Sequence, residues 1–253
     1  MSPARRFLAV FALASVVLAG AASSADATFH LMKIREVSAG TGPADSSYAE
    51  VQMYAPFQNF LSYGATLVTC TSTCTSNVLS FAPFANVAHG DNQDTVVFGD
   101  NGLPAGSRDF NVDLNLDGRA AGGALCYLSE PGFSDCVSWG NFNENSYLVA
   151  NYGTTAGTPA PALTTGMALR RSISAGCPSL LEASDDTNDS ASDFSVTTPD
   201  PRPNSVTPTE TPCAPSGGGG PPAGGSSQTT PRPKKKCKKA KKRAVAARKC
   251  KRK

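Results

Sequence analysis

The order of apolar and polar residues along the middle of the chain predicts β-strands. In HLMKIREV (30–37), Met32, Ile34 and Glu36 fall on one face, opposite the residues between them. A period of two is typical of a half-buried strand. The stretch SYAEVQMY (47–54) alternates in the same way, with its alanine, valine and methionine on one face.

Further short runs strengthen the prediction of a β protein. DTVVF (94–98), DFNVDLNL (109–116) and ALCYL (124–128) are each bounded by Gly, Asn, Asp or Pro, the residues that favour turns. No stretch of this region keeps apolar residues at helical spacing for three turns. Short strands at close intervals indicate a β-sandwich or a barrel. We therefore predict an all-β domain over residues 28–214.

The first 27 residues have the pattern of a secretory signal peptide. Two arginines precede an apolar run from Phe7 to Gly20, and Ala25-Asp26-Ala27 supplies an A-x-A site, so cleavage is expected after Ala27. The Ala-rich style is bacterial. No later stretch is apolar enough to span a bilayer. We expect a mature chain without a transmembrane segment that is secreted or associated with the cell surface.

Eight cysteines in an exported chain favour disulfide bonds. In ALCYLSEPGFSDCVSW two cysteines lie symmetrically about Pro131, as expected for facing positions of a hairpin. Another pair is separated by Thr-Ser-Thr, so a bond there requires these three residues to turn. Zinc is disfavoured because no second closely spaced cysteine pair exists and His30 and His89 show no ligand spacing. The predicted pairs are Cys126–Cys136, Cys70–Cys74 and Cys177–Cys213.

Charge divides the chain into two opposed blocks. Residues 28–230 contain 19 acidic and 7 basic residues, whereas residues 231–253 contain 14 basic residues and no acidic one. A Gly/Pro/Ser-rich segment, 215–232, reads as a flexible linker, and 233–253 as a disordered basic tail. We predict that the tail binds an anionic envelope polymer or lipid.

The tail contains no aromatic residue, so it predicts no sequence-specific binding of nucleic acid. Whether its two cysteines, at 237 and 250, form a bond is left open. The residues expected to contact a polyanion are Lys234, Lys235, Lys236, Lys238, Lys239, Lys241, Lys242, Arg243, Arg248 and Lys249.

No cofactor is expected, but two runs rich in side-chain oxygens are candidates for calcium. Asp113, Asn115 and Asp117 have the spacing of the first half of a calcium loop, but Ala124 stands where the loop needs a bidentate glutamate. We read this run as a strand that ends in an Asp-Gly turn. The second run is read as a solvated turn, and its candidate ligands are Asp185, Asp186, Asp189 and Asp193.

No arrangement of catalytic residues is apparent. A hydrolase triad needs a nucleophile, a histidine and an orienting acid, and no nucleophile-elbow pattern accompanies either histidine. We therefore assign no catalytic residue and no enzymatic activity.

Several motifs resemble the lamin-tail type of immunoglobulin-like domain, which occurs in nuclear lamins and in secreted bacterial proteins. KIREV (33–37) resembles its opening strand, YAEV (48–51) its second strand, and NFLSY (59–63) its turn, with Tyr63 in place of the family's tryptophan. MALRRS, DDTNDSASDF and PDPRPNS resemble its closing motifs. The resemblance covers residues 30–206 and implies an immunoglobulin-like β-sandwich that binds or supports other molecules without catalysis.

The sequence thus predicts a secreted, non-catalytic binding or structural module that its cationic tail holds at the cell envelope. The alternative is a secreted hydrolase or enzyme accessory domain, for which calcium is the candidate cofactor.

Overall fold

A computed structural model describes residues 30–41, 46–75, 78–82, 84–129, 133–173 and 179–210. Within these residues the chain is mostly β, in two sheets, with few helices, as the sequence predicts. Ten strands are described: β1 (Met32–Ser38), β2 (Tyr48–Met53), β3 (Thr66–Thr71), β4 (Leu79–Phe81), β5 (Thr95–Gly99), β6 (Phe110–Asn111), β7 (Gly122–Leu128), β8 (Asp135–Gly140), β9 (Ala168–Arg171) and β10 (Phe194–Thr197).

The strands form a six-stranded sheet in the order β10-β9-β1-β2-β5-β6 and a four-stranded sheet in the order β4-β3-β7-β8. Neighbours are antiparallel except β5 and β6, which are parallel. Both sheets contribute to one hydrophobic core, in which Ile34 and Val51 of the larger sheet meet Leu125 and Trp139 of the smaller one. The predicted inner face of β2, which consists of Ala49, Val51 and Met53, is buried in this core.

A β-bulge in β1 changes the faces of the residues that follow it, so the prediction was wrong for Glu36. Met32 and Ile34 lie in the core as predicted, but between Ile34 and Glu36 the register against β2 shifts, so that Glu36 opposes Glu50. The extra residue, Arg35, turns Glu36 away from the core and brings Val37 into it. Bulges of this kind reverse the inside–outside alternation beyond the inserted residue.

The segment from 109 to 119 also differs from its prediction as one strand. Only Phe110–Asn111 pairs with a neighbour, and a short 3-10 helix spans Asp117–Arg119. The alternating residues Val112, Leu114 and Leu116 are nevertheless buried. The alternation therefore predicted the burial of these side chains correctly. Their backbone, however, belongs to a loop and not to a paired strand.

Two helices accompany the sheets in the described residues: α1 (Asn145–Tyr152) and the single turn α2 (Ser190–Asp193). The sequence did not indicate α1, because only Leu148 among its residues is fully buried and one buried position leaves no helical period. Leu148 packs on the outer face of the four-stranded sheet, in a second apolar cluster that contains Cys70 and Cys126.

Both predicted cysteine pairs of this sheet lie at disulfide distance. Cys126 of β7 faces Cys136 of β8 in the strand register, with 4.1 Å between their Cα atoms. Cys70 ends up 4.9 Å from Cys74, Cα to Cα, because the chain turns after β3 and Cys74 takes a positive φ of 48°. Cys177 and Cys213, the third predicted pair, lie outside the described residues.

The C-terminal segment, residues 198–210, crosses the outer face of the six-stranded sheet. Its backbone amides at Asp200 and Arg202 donate to the side chains of Glu36 and Glu50 respectively. The outward residues of β2 are buried as well, since Tyr48 and Glu50 are each 1% exposed. In the part of the chain that the structure describes, no helix has the length and apolar character needed to cross a membrane.

Candidate binding site beside a buried charge network

A group of five charged residues lies where the two sheets meet. We call Lys33, Asp135, Arg171, Asp186 and Asp193 the Arg171 cluster. Arg171 ends β9, and its Nη2 is 2.8 Å from both carboxylate oxygens of Asp135, the first residue of β8. Its Nη1 lies 3.3 Å from a carboxylate oxygen of Asp186 and of Asp193. The Arg171 side chain is 0% exposed.

The Arg171–Asp135 pair takes the place of a missing strand partner for Ile34. The ladder between β1 and β9 covers only Glu36 to Ser38 on β1, so the backbone of Ile34 has no strand partner there. Instead the Ile34 N–H donates to Asp135 at 2.7 Å, and Nε of Arg171 donates to the Ile34 carbonyl at 2.9 Å. Buried backbone polar groups need such partners. The pair therefore completes the sheet with side-chain atoms.

Electrostatics favour the charged forms of Arg171, Lys33 and Asp186, whereas burial raises the pKa of Asp135 although Arg171 opposes this shift. Burial lowers the pKa of Arg171, but Asp135, Asp186 and Asp193 raise it more, so the net shift is upward. Burial likewise opposes charge on Lys33, and Asp135 and Asp186 outweigh it, which raises the pKa of Lys33. For Asp186, Arg171 and Lys33 overcome the effect of burial and lower the pKa. Lys33 therefore stays an ammonium ion, which excludes it as a general base at neutral pH.

One edge of the cluster opens into a cavity of about 360 Å³. Lys33 and Asp186, whose Nζ and Oδ2 atoms are 2.5 Å apart, form its charged wall. The loop after α1 supplies Thr154 and Thr155, and Asn188 supplies an amide; the remaining lining residues are Ser134, Val149 and Gly153. Hydroxyl, amide, ammonium and carboxylate groups thus share a single small space.

A second charged group, the outer-face network, lies under the C-terminal segment. It consists of Glu36, Glu50, Arg170, Arg202 and Glu210. Arg170 pairs with Glu36, to which Tyr48 also donates. Arg202 bridges Glu50, at 3.0 Å, and Glu210, at 2.8 Å. The two directly opposed glutamates of β1 and β2 are therefore neutralised by arginines from two other segments.

Burial shifts the ionisation of this network. The carboxyl group of Glu50 is fully enclosed, and desolvation raises its pKa to about 7 against the attraction of Arg202. The pKa of Tyr48 is also raised, first by burial and then by Glu36. For Glu210, hydrogen bonds from Gln52 and Arg202 outweigh burial and lower the pKa. The charge of Glu50 therefore responds to pH near neutrality.

The first calcium run forms a loop that is held by its own hydrogen bonds. Asp113 accepts a hydrogen bond from the backbone of Asn115, and Asn115 takes a positive φ of 50°. Arg119 donates to the carbonyls of Leu114 and Asn115, which places a cation inside the loop. Asp117 begins the short 3-10 helix.

In the second calcium run the carboxylates have other partners. Asp185 accepts from the backbone of Glu182, and Asp186 and Asp193 bind Arg171. Asp189 caps α2 and accepts from the backbone of Thr158, and these hydrogen bonds lower its pKa to about 2. Among the described residues no group of three or more His, Cys, Asp or Glu side chains is arranged to hold a metal ion.

The two histidines lie apart in different surroundings. His30 is 6% exposed and its ring centroid is 5.7 Å from that of Phe133. His89 lies in an exposed loop whose backbone binds the side chain of Asn204. The ten predicted polyanion-binding residues of the tail lie outside the described residues.

Sequence patterns did not indicate the Arg171 cluster or its cavity. Lys33, Asp135 and Arg171 are separated by 102 and 36 positions, so no local spacing links them. A signal was present, however, because residues 28–230 contain only seven basic residues. An arginine beside β-strand apolar residues, in a chain so rich in carboxylates, predicts a buried ion pair.

Comparisons with protein-family models, with curated proteins and with solved structures gave no match. The resemblance to the lamin-tail domains therefore stays a prediction that rests on the quoted motifs.

Proposed function

We propose that this protein is an exported, non-catalytic binding or structural module, with an immunoglobulin-like β-sandwich of the lamin-tail type as its body and a basic tail that holds it at the cell envelope. The observation that carries the proposal is the separation of charge, with 14 basic and no acidic residues in positions 231–253 and an acidic body before them. Such a tail is attracted to anionic lipids and polymers at about 1 kcal/mol for each basic residue near the surface.

The body supports the proposal in three ways. The motifs that resemble the lamin-tail family fall on β1, on β2, on the turn that includes Leu61–Tyr63, on β9, on the loop with α2, and on the C-terminal segment. Two cysteine pairs at disulfide distance fit an oxidising compartment. The ammonium of Lys33 is held by Asp186 and its pKa is raised, which suits a binding surface better than proton transfer.

Binding of the protein to isolated cell envelopes tests the tail. We expect deletion of residues 231–253 to release the protein, and 1 M NaCl to release the intact protein, because the Debye length falls from about 8 Å to about 3 Å. A variant with the tail residues in scrambled order is the matched control. It should bind as the natural chain does, since the attraction depends on charge and not on order. Retention of the deleted form would overturn the anchoring role.

A further inference from the structure

The cavity beside the Arg171 cluster has the size and lining of a small-molecule site. Its volume of about 360 Å³ falls within the usual range for ligand pockets. Six of its eight lining residues have polar side chains, and Val149 and Gly153 are the exceptions. A ligand that enters it must therefore replace water by hydrogen bonds wherever it faces these polar groups, since unpaired polar groups are costly.

The charge beside the cavity favours a neutral ligand. Two cations and three carboxylates make up the Arg171 cluster, which leaves one excess negative charge. The cation at the wall, Lys33, is already paired with Asp186 at 2.5 Å. A phosphate or carboxylate would meet this acidic surrounding without an uncommitted cation. A metal ion would find no group of three ligands among the described residues.

The polar groups of the wall are held in place by neighbours. Asp186 is fixed by Arg171 and accepts the backbone N–H of Asn188 at 3.0 Å. The Thr154 hydroxyl lies 3.2 Å from the side-chain oxygen of Asn188, and the Thr155 hydroxyl lies 2.9 Å from that of Asn145. Groups held in this way lose little freedom when a ligand binds, which favours affinity.

We propose that this cavity binds one neutral, hydroxyl-rich ring, such as a hexopyranose unit of an envelope glycan. Each hydroxyl group can donate one hydrogen bond and accept others. Two adjacent hydroxyls can therefore engage the carboxylate of Asp186 and the ammonium of Lys33 at once, while Thr154, Thr155 and Asn188 bind the next ones. The inference rests on the proposed function, since it names the ligand class of the body.

Binding of methyl glycosides to the full-length protein tests the inference. We would titrate neutral methyl glucoside, galactoside, mannoside and N-acetylglucosaminide, and compare glucuronic acid and glucose 6-phosphate, by saturation-transfer NMR at 150 mM salt. At least one neutral glycoside should bind in the millimolar range and at least fivefold more tightly than either charged sugar. Equal or tighter binding of the charged sugars, or no binding of any neutral glycoside, would overturn the proposal.

Two variants locate the site. Val149→Trp enlarges an exposed residue of the cavity lining, and we expect at least tenfold weaker glycoside binding. Val196→Trp makes the same change at a similarly exposed residue of β10 and should leave binding unchanged. Thr154→Val removes one hydroxyl with little change of volume and should weaken binding several-fold without loss of the thermal transition. Unaltered binding in both cavity variants would show that the ring binds elsewhere.

The outcome is separable from that of the anchoring experiment. Deletion of residues 231–253 should leave glycoside binding unchanged, because the cavity is built from residues of the body. A protein that binds glycosides but stays on envelopes without its tail would contradict the anchoring role alone. A protein that loses envelope binding with its tail but binds no glycoside would contradict the present inference alone.

Discussion

Two adjacent arginines at the end of β9 lie in opposite environments. Arg170 points to the outer face, where its side chain is 29% exposed and pairs with Glu36 under the C-terminal segment. Arg171 points inward, is fully buried and contacts three carboxylates. Successive residues of a strand face opposite sides of the sheet, so one peptide bond separates a peripheral ion pair from the centre of a buried network. The same residue type should therefore matter very differently at the two positions.

The largest effect is expected from Arg171→Met. Without this cation, Asp135, Asp186 and Asp193 lose most of the positive charge that offsets their burial. Breaking a buried ion pair typically costs about 3–5 kcal/mol of unfolding free energy. Urea denaturation at pH 7 measures the loss. Arg171→Lys keeps the charge but not the bidentate geometry, so its loss should be smaller than that of the methionine variant. A methionine variant as stable as the natural protein would show that the cluster contributes nothing net.

The next effect concerns pH and the outer-face network. The pKa of Glu50 is raised from 4.5 to about 7 in the folded state. Between pH 4.5 and 7 the native protein therefore keeps a proton on Glu50 that the unfolded chain has lost. The contribution of this proton to the unfolding free energy is complete below pH 4.5 and is lost as the pH rises through 7. The total loss is about 3 kcal/mol. Urea midpoints from pH 4.5 to 8 should reveal this fall, and Glu50→Gln should make it smaller.

Glu210→Gln is the matched control for the pH experiment. The pKa of Glu210 is lowered, so its contribution is present above pH 4.5 and is lost as the pH falls through its folded-state pKa. This variant should keep the decline of stability between pH 4.5 and 7. If both glutamine variants show the same pH dependence, Glu50 is not the titrating group.

A smaller effect is expected where the C-terminal segment meets the sheet. Asn204 donates to the carbonyls of His89 and Thr95 at 2.9 and 3.0 Å and accepts from the His89 N–H at 2.7 Å. Asn204→Ala should cost about 2 kcal/mol, since it leaves the buried Thr95 carbonyl and two partly buried backbone groups of His89 unpaired. It should also speed proteolysis at residues 205–210. Asn86→Ala, which removes one bond at an exposed residue, should change neither measurement appreciably.

The smallest effect is expected for Arg170→Gln. Its ion pair with Glu36 is partly exposed, so the loss should be about 1 kcal/mol at low salt. In 1 M NaCl the difference from the natural protein should shrink, because salt screens exposed pairs more than buried ones. The deficit of Arg171→Met should persist at the same salt concentration. Equal salt dependence of the two variants would contradict the contrast between the faces of β9.

Local pattern predicted β1, β2, β5 and β7 and two cysteine contacts, but it did not indicate β3, β4, β9 or β10. β2, β5 and β7 follow their apolar runs, because alternation records which side chains enter a core. The facing positions of Cys126 and Cys136 followed from symmetry about a turn. The sequence did not predict the bulge in β1, because Arg35 is an inserted residue only relative to the register with β2. It did not predict the loop at 112–116 either, because burial alternates there without a strand partner.

The sequence by itself determined the all-β class, the inner face of β2, the separation of an acidic body from a basic tail, and which cysteines of one hairpin face each other. These properties depend on composition and on neighbours within a few residues. Only the tertiary structure decided that Lys33, Asp135 and Arg171 meet, that Glu36 turns outward beside Glu50, and that a polar cavity opens next to Asp186. Each of these depends on the register between strands far apart in the chain, and a shift of one residue in that register exchanges the two faces of a strand.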